Sequence, residues 1–326
     1  MKFTLIICTY MRAEPLLKLL QSVEKQTLYP DEILIVDGST DKQTAAVLNS
    51  NPFKNLHYFL VSEENRGLTK QRNFGISKVT ESSEIVCFLD DDTVLEIDYF
   101  EKLLKTYKIY PEALGVGGYI NNEIKWERVG EEYQPKSTDF YFDAWKRIDS
   151  SRFVLRKKLG LDSDCAPGVS PLFSHGRSVS FLPPTDKVYE VEMLMGGVSS
   201  FRKSVFNTFS FSTYFQGYGL FEDTDFSLRL AKKGKLYLNT AARLKHFHET
   251  SGRPNQYQYG KMVVKNGFYV WRVKNPNPVF KDKLKWHSIT ILLTMIRFSN
   301  IFTTTKKKEA FTEALGRTIA WFQILN

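Results

Sequence analysis

Four short apolar runs punctuate the N-terminal third of the chain, at 2–8 (KFTLIIC), 32–37 (EILIVD), 56–61 (LHYFLV) and 84–89 (EIVCFL). Continuous runs of this length, rich in β-branched and aromatic residues, predict strands buried on both faces of a parallel sheet. Helical spacing separates them. Leu16, Leu19, Leu20 and Val23 recur at threes and fours behind Pro15, and the segments DKQTAAVLNS and LTKQRNFGISKV continue the alternation. Strand and helix alternating in this way predict a doubly wound α/β domain over residues 1 to about 115, whose ligand site lies at the carboxyl ends of the strands.

The polar residues fall at those ends. Thr9, Tyr10 and Arg12 follow the first run, Asp37, Gly38 and Ser39 close the second, and Asp90, Asp91 and Asp92 close the fourth. Three adjacent carboxylates at the mouth of a buried strand repel one another, and a divalent cation held by oxygen ligands relieves this. Magnesium or manganese needs only one or two protein carboxylates when substrate phosphates complete the shell, so Asp90 and Asp92 in D-x-D spacing suffice. Two other readings stay open here. The acids could form a solvated loop that starts the next helix near Glu96 and Asp98. FLDDDTV also fits the signature of haloacid-dehalogenase-type phosphatases, but no later Gly-Asp-x-x-x-Asp follows, and that family's nucleophilic strand is the first of its domain.

Cys8-Thr9-Tyr10-x-Arg12, Ile35-Val36-Asp37-Gly38-Ser39, Glu64-Asn65-Arg66-Gly67, Gln71-Arg72-Asn73-Phe74-Gly75 and Leu89-Asp90-Asp91-Asp92 follow one another in an order and spacing that resemble the family 2 glycosyltransferases of the GT-A fold. MGGVSSFRKSVF at 195–206 and GYGLFEDTDFSLRLAKKG at 217–234 resemble the later part of the same family. The resemblance covers about residues 1–120 and 190–253. It implies transfer of a sugar, with inversion, from a UDP or dTDP donor to a hydroxyl of a glycan or lipid-linked glycan, with a bacterial surface polysaccharide as the product. Asp37 would accept the imide N–H of the base, with Thr9, Tyr10, Arg12 and Ser39 around it. Asp90 and Asp91 would face the ribose and its waters, Asp92 would hold manganese or magnesium, and Arg66, Lys70 and Arg72 would offer positive charge to the phosphates. Asp223 would be the general base with Glu222 orienting the acceptor, Gly196 and Gly197 would lie on the acceptor side, and His246 or His248 would be a further metal ligand. A protein that binds the nucleotide sugar or glycan without turnover is the alternative from another class, although the acidic pair Glu222-Asp223 argues against it.

The resemblance divides the chain into a nucleotide-sugar half (1–120), an insertion on the acceptor side or acting as a lid (121–190), a catalytic half (191–253) and a helical extension (254–326). In the insertion, Trp126, Tyr141 and Trp145 would either stack on sugar rings or form a small core. The net charge of +9 asks for an anionic partner, yet no nucleic-acid module is recognisable. The opening MKFTLIIC is too short for a signal-peptide core, and three cysteines, two of them inside apolar runs, suit a reducing, cytoplasmic compartment. Residues 286–302 are too polar for a membrane span: His287, Thr290, Thr294 and Arg297 share one helix face. That helix would either pack on the protein with this stripe in solvent or lie on an anionic membrane at the cytoplasmic face.

Overall fold

The structure, a computed structural model, describes residues 1–248 and 254–325, grouped into two compact units. One comprises Met1–Lys125 with Pro184–Gly252, the other Trp126–Pro183 with Arg253–Asn326. The expected boundary at 253/254 falls at residues outside the described ones. In chain order the first unit begins with β1 (Phe3–Thr9), α1 (Ala13–Glu24), β2 (Glu32–Asp37), α2 (Gln43–Ser50), β3 (Leu56–Leu60), α3 (Leu68–Lys78), β4 (Ile85–Asp90), β5 (Thr93–Leu95), α4 (Tyr99–Ile109) and β6 (Ala113–Ile120). The second contributes β7 (Glu127–Arg128), β8 (Asp139–Phe142), β9 (Trp145–Ile148) and α5 (Ser151–Lys158). The chain then returns to the first through β10 (Val188–Val191), β11 (Val198–Arg202), α6 (Glu222–Ala231) and β12 (Lys235–His246), and ends in the second with α7 (Gln256–Lys274), α8 (Phe280–Thr303) and α9 (Lys307–Leu325).

The first unit has the GT-A architecture, a curled, mostly parallel sheet flanked by helices, with strand order β10-β12-β6-β11-β4-β1-β2-β3. Leu5, Ile7, Ile33, Ile35, Ile85 and Cys87 are fully or almost fully buried against Leu16, Leu19, Leu20 and Phe100 from the covering helices. The run at 56–61 departs from the expectation of burial on both faces. β3 is the outermost strand, and Leu60 at its end is 56% exposed, because it has a neighbour on one side only. β4 turns the sheet antiparallel by pairing with β11, where the Asp90 N–H donates to the Gly197 carbonyl (3.0 Å). β12 runs parallel to β6, shifts register between Leu238 and Arg243, and then pairs antiparallel with β5, so that His246 comes opposite Thr93.

The second unit surrounds a buried cation. Arg177 is clamped by both oxygens of Asp149 (2.8 and 3.0 Å) and by Asp162 (2.7 Å), with the rings of Phe140, Phe153 and Phe181 packed at 4.2–4.8 Å from the guanidinium. Trp126 packs edge-on to Phe140 and Tyr141 donates to the Gly130 carbonyl, so these two rings belong to a local core, while Trp145 pairs within the small sheet β7-β9-β8. Among the helices, Trp271 of α7 and Trp286 of α8 stack at 5.2 Å. α7 and α9 approach backbone to backbone. A Cβ on Gly260 would fall 2.1 Å from the Glu313 carbonyl oxygen, and one on Gly316 equally close to that of Tyr257. The polar stripe on α8 is also turned from its expected place: Thr290 and Thr294 are buried, and Arg297 pairs with Glu313. Threonines bond back to carbonyls one turn earlier (Thr290 to Trp286, Thr294 to Thr290), which lets a hydroxyl be buried satisfied. Among the described residues no helix is long and apolar enough to cross a membrane.

Candidate active site

The three aspartates at the end of β4 point in three directions. Asp91 turns inward, where it accepts from the Thr9 hydroxyl (2.7 Å) and from Arg12 (3.0 Å). Burial raises its pKa to about 7, against the pull of Arg12 and Thr9. The repulsion in the triplet is thus relieved in part by a protein cation rather than by a metal alone. Thr9 and Arg12, expected around the nucleotide base, hold Asp91, and Arg12 also lies 3.6 Å from Asp92. Asp90 stays 42% exposed at the edge of the sheet, 3.7 Å from the guanidinium of Arg72. Asp92 is buried with one oxygen 3.1 Å from His246 Nε2.

The register shift in β12 brings His246 to this acid, a contact between residues far apart in the sequence. Its other nitrogen, Nδ1, meets Glu123 at 3.0 Å. Burial disfavours the charged ring, but hydrogen bonds to Asp92 and Glu123 outweigh this and hold its pKa up at about 10. Asp90, Asp92 and His246 each offer a ligand atom within 4.8 Å of the others. Two carboxylates and an imidazole suit manganese, and the carboxylates suit magnesium, so the donor set fits such an ion. Glu123 was not among the residues expected from the sequence. A carboxylate on the far nitrogen of a metal-binding histidine fixes its ring, which is the position Glu123 takes. His248 faces Glu123 at 2.7 Å, forming with Glu123 and His246 a second, more exposed grouping.

Helix α3 organises the rest. Gln71 donates to the carbonyls of Thr9 (3.0 Å) and Val36 (2.8 Å), joining the carboxyl ends of β1 and β2. Arg72, expected to meet phosphates, is buried between Asp90 and Glu222 and hydrogen-bonds the latter. Asn73 exchanges two hydrogen bonds with the backbone of Phe211, and the Thr69 hydroxyl donates to the Phe215 carbonyl, so α3 also fixes the loop leading to α6. Lys70 turns to the Glu64 carbonyl (2.7 Å), and Arg66 lies half-buried just before the helix. Neither shares a hydrogen bond with the acidic cluster among the described residues. Asp37 is fully buried; it accepts from the Ser39 N–H (2.8 Å) and from Tyr58 (2.9 Å), and the Ser39 hydroxyl accepts from the Met11 N–H (2.7 Å). Tyr10 beside them is exposed. Tyr58 and Gln71 are the site's other unanticipated members; the first stood in an ordinary strand, and the second inside a quoted motif with no chemistry of its own.

At the other side of the cluster, Glu222 and Asp223 open α6. Burial raises the Glu222 pKa to about 8 despite Arg72, and its Oε2 has no hydrogen-bond partner among the described residues. Asp223 is half-buried, accepting from the N–H groups of Gly196 (3.1 Å) and Thr224 (2.7 Å). The glycines before β11 explain themselves by proximity. A Cβ at Gly196 would fall 2.6 Å from Arg72 Nη1 and Glu222 Oε1, and one at Gly197 only 2.0 Å from the Asp90 carboxyl carbon.

Residues 4–169, just over half of the chain, match the profile described as glycosyl transferase family 2. The chain belongs to that family. Family membership leaves the phosphatase reading without support. The chain is 30% identical over 146 residues to the glucosyl-dolichyl phosphate glucuronosyltransferase of Haloferax volcanii, a match covering 44% of each. It is 31% identical over 107 residues to the UDP-Gal:alpha-D-GlcNAc-diphosphoundecaprenol beta-1,3-galactosyltransferase of Escherichia coli, covering 32% of this chain and 38% of the relative. The chain thus spans less than half the length of these curated relatives. Among solved structures it resembles S. aureus TarS 1-349 in complex with UDP, with a TM-score of 0.50 and 16% identity over 94% of this chain and 73% of that one. This likeness shows the shared fold.

Proposed function

We propose that this chain transfers a sugar from a UDP or dTDP donor to a hydroxyl of a glycan or lipid-linked glycan, with inversion and with the help of a divalent metal. The observation that carries this reading is the single cluster in which Asp90, Asp92 and His246 could hold a cation while Arg72 links Asp90 to Glu222 beside Asp223. The UDP in the TarS complex and the polyprenol-linked sugars in the names of the two relatives support the donor and acceptor classes. A role in the synthesis of surface polysaccharide or glycolipid, with the chemistry on the cytoplasmic side, belongs to the same proposal.

Asp37 would accept the imide N–H of a uracil or thymine, with its carboxylate already oriented by Ser39 and Tyr58. Asp223 would take the proton of the acceptor hydroxyl as that oxygen bonds to the anomeric carbon, while the bond from this carbon to the diphosphate oxygen breaks on the opposite face. The hydrogen bonds from Gly196 and Thr224 hold its carboxylate in one orientation. Glu222, fixed by Arg72, would position the acceptor and Asp223. A manganese or magnesium ion held by Asp90, Asp92 and His246 would act as a Lewis acid that offsets the charge of the departing diphosphate.

A thermal-shift panel of UDP, dTDP, GDP and CMP with and without manganese tests the donor class, since a ligand that binds only the folded state raises its stability. UDP or dTDP should stabilise the chain in a metal-dependent way. Asp92→Ala should abolish that shift, and Asp223→Asn should preserve it while stopping transfer. Equal loss of donor binding in both variants would refute the roles.

A further inference from the structure

The helical hairpin α8–α9 buries an ion-pair network beside its tryptophan core and leaves a row of large apolar side chains exposed. The pairing of Arg297 with Glu313 (2.6 Å) and of Trp321 with His287 (3.1 Å) sets the two helices antiparallel. Between residues 286–305 and 310–325 the sequence holds only Arg297, Glu313 and Arg317 as acids or bases of fixed charge, and Glu313, buried, binds both arginines. The outer surface is instead formed by Ile291, Met295 and Phe302 of α8 and Phe311, Leu315 and Phe322 of α9, which recur at sevens and fours along each helix. Phe302 is 87% exposed, Met295 63% and Phe322 56%. An exposed apolar face of this extent marks an interaction surface.

The charges beside it identify the occupant. Lys281, Lys283 and Lys285 lie at one end of the hairpin and Lys306, Lys307 and Lys308 at the other. Residues 254–326 carry twelve Lys and Arg against three Asp and Glu, a net +9 that equals the charge of the whole chain. Two copies stacked hairpin on hairpin, in either sense, would bring lysine onto lysine. The acids of the segment could not relieve this, because Glu313 is engaged by the arginines, Asp282 accepts from Asn275 and Glu309 lies beside Lys306. An anionic bilayer satisfies both features at once, since acyl chains take up the apolar stripe and headgroup phosphates the lysines.

We propose that the outer face of α8–α9 docks on the surface of an anionic lipid bilayer, lying on it without crossing it. The inference goes beyond the transfer reaction and stands or falls separately from it, because it concerns a different unit of the chain. The test is co-sedimentation of the full chain with vesicles of phosphatidylcholine alone or with about 30% phosphatidylglycerol, at low and high salt. The chain should pellet with the anionic vesicles and be released by salt. Replacing Lys306, Lys307 and Lys308 together by Gln should weaken partitioning by about a hundredfold, at roughly fivefold per lysine near such a surface. Met295→Glu combined with Phe322→Glu should abolish it, with circular dichroism and the melting temperature unchanged because both positions are exposed. Wild type that stays in the supernatant, or pellets as well with neutral vesicles as with anionic ones, overturns the proposal. So does a dimer in size-exclusion chromatography that the Met295/Phe322 variant dissociates, which would give the face to a second copy of the chain.

Discussion

Gly197→Ala separates the cluster's geometry from the stability of the fold. The new methyl would begin 2.0 Å from the carboxyl carbon of Asp90. Carbon atoms rest at about 3.5 Å or more, so the carboxylate must retreat by about 1.5 Å. It can do so at little cost, because the side chain is 42% exposed; a stability loss of about 1 kcal/mol is expected. The consequence for binding is larger. Disturbing the groups that set a metal ligand's position costs about 10- to 100-fold in metal affinity. Titration of the chain with manganese in the presence of UDP should therefore show affinity weaker by that factor, with the melting temperature lower by only a few degrees. Gly196→Ala is the control with the opposite balance, since its methyl would collide with Arg72 and Glu222, both buried and unable to withdraw. That variant should lose stability first, by about 2–3 kcal/mol. If Gly197→Ala binds manganese and UDP like the wild type, Asp90 takes no part in holding the metal.

Arg72→Met removes the cation shared by Asp90 and Glu222, and because breaking a buried pair strands its partner, urea denaturation should register a loss of about 3–5 kcal/mol. In the second unit, burial among Arg156 and Arg317 lowers the pKa of His175 from 6.5 to about 3. The folded unit therefore holds this ring neutral: its contribution is complete above pH 6.5 and is lost as the pH falls towards 3, by at most about 2 kcal/mol at pH 5. His175→Gln should flatten the acid side of the stability profile, and an unchanged slope would show that the ring is free to charge.

Three of the four strands were legible as near-continuous apolar runs because they are buried on both faces, the outermost β3 showed itself by its β-rich composition alone, and the carboxyl ends followed from the alternation. The identity of the gathered residues was legible too, but not their partners. The sequence presents Asp90, Asp91 and Asp92 as one repulsive group, whereas the structure gives them different partners: Arg72 beside Asp90, Arg12 on Asp91, and His246 with the edge of Arg12 at Asp92. The contact between Asp92 and His246 depends on a register shift inside β12 that no local pattern encodes. Gln71 and Glu123 went unassigned because each acts on another residue rather than on a ligand. The stripe on α8 was misplaced because hydropathy assumes an apolar interior, while this helix buries Thr290, Thr294 and the edge of an ion pair beside two stacked tryptophans.

The seam between α7 and α9 has a mechanical consequence. With Gly260 and Gly316 each pressed on the opposite backbone, the two rods have no rotamers to flex at that crossing and are pinned there as one beam. A single methyl at either glycine would act as a wedge, prising the rods apart and changing the pitch of α9 along its whole length. The tolerance of the C-terminal unit for change is therefore least at the two residues that have no side chain to lose.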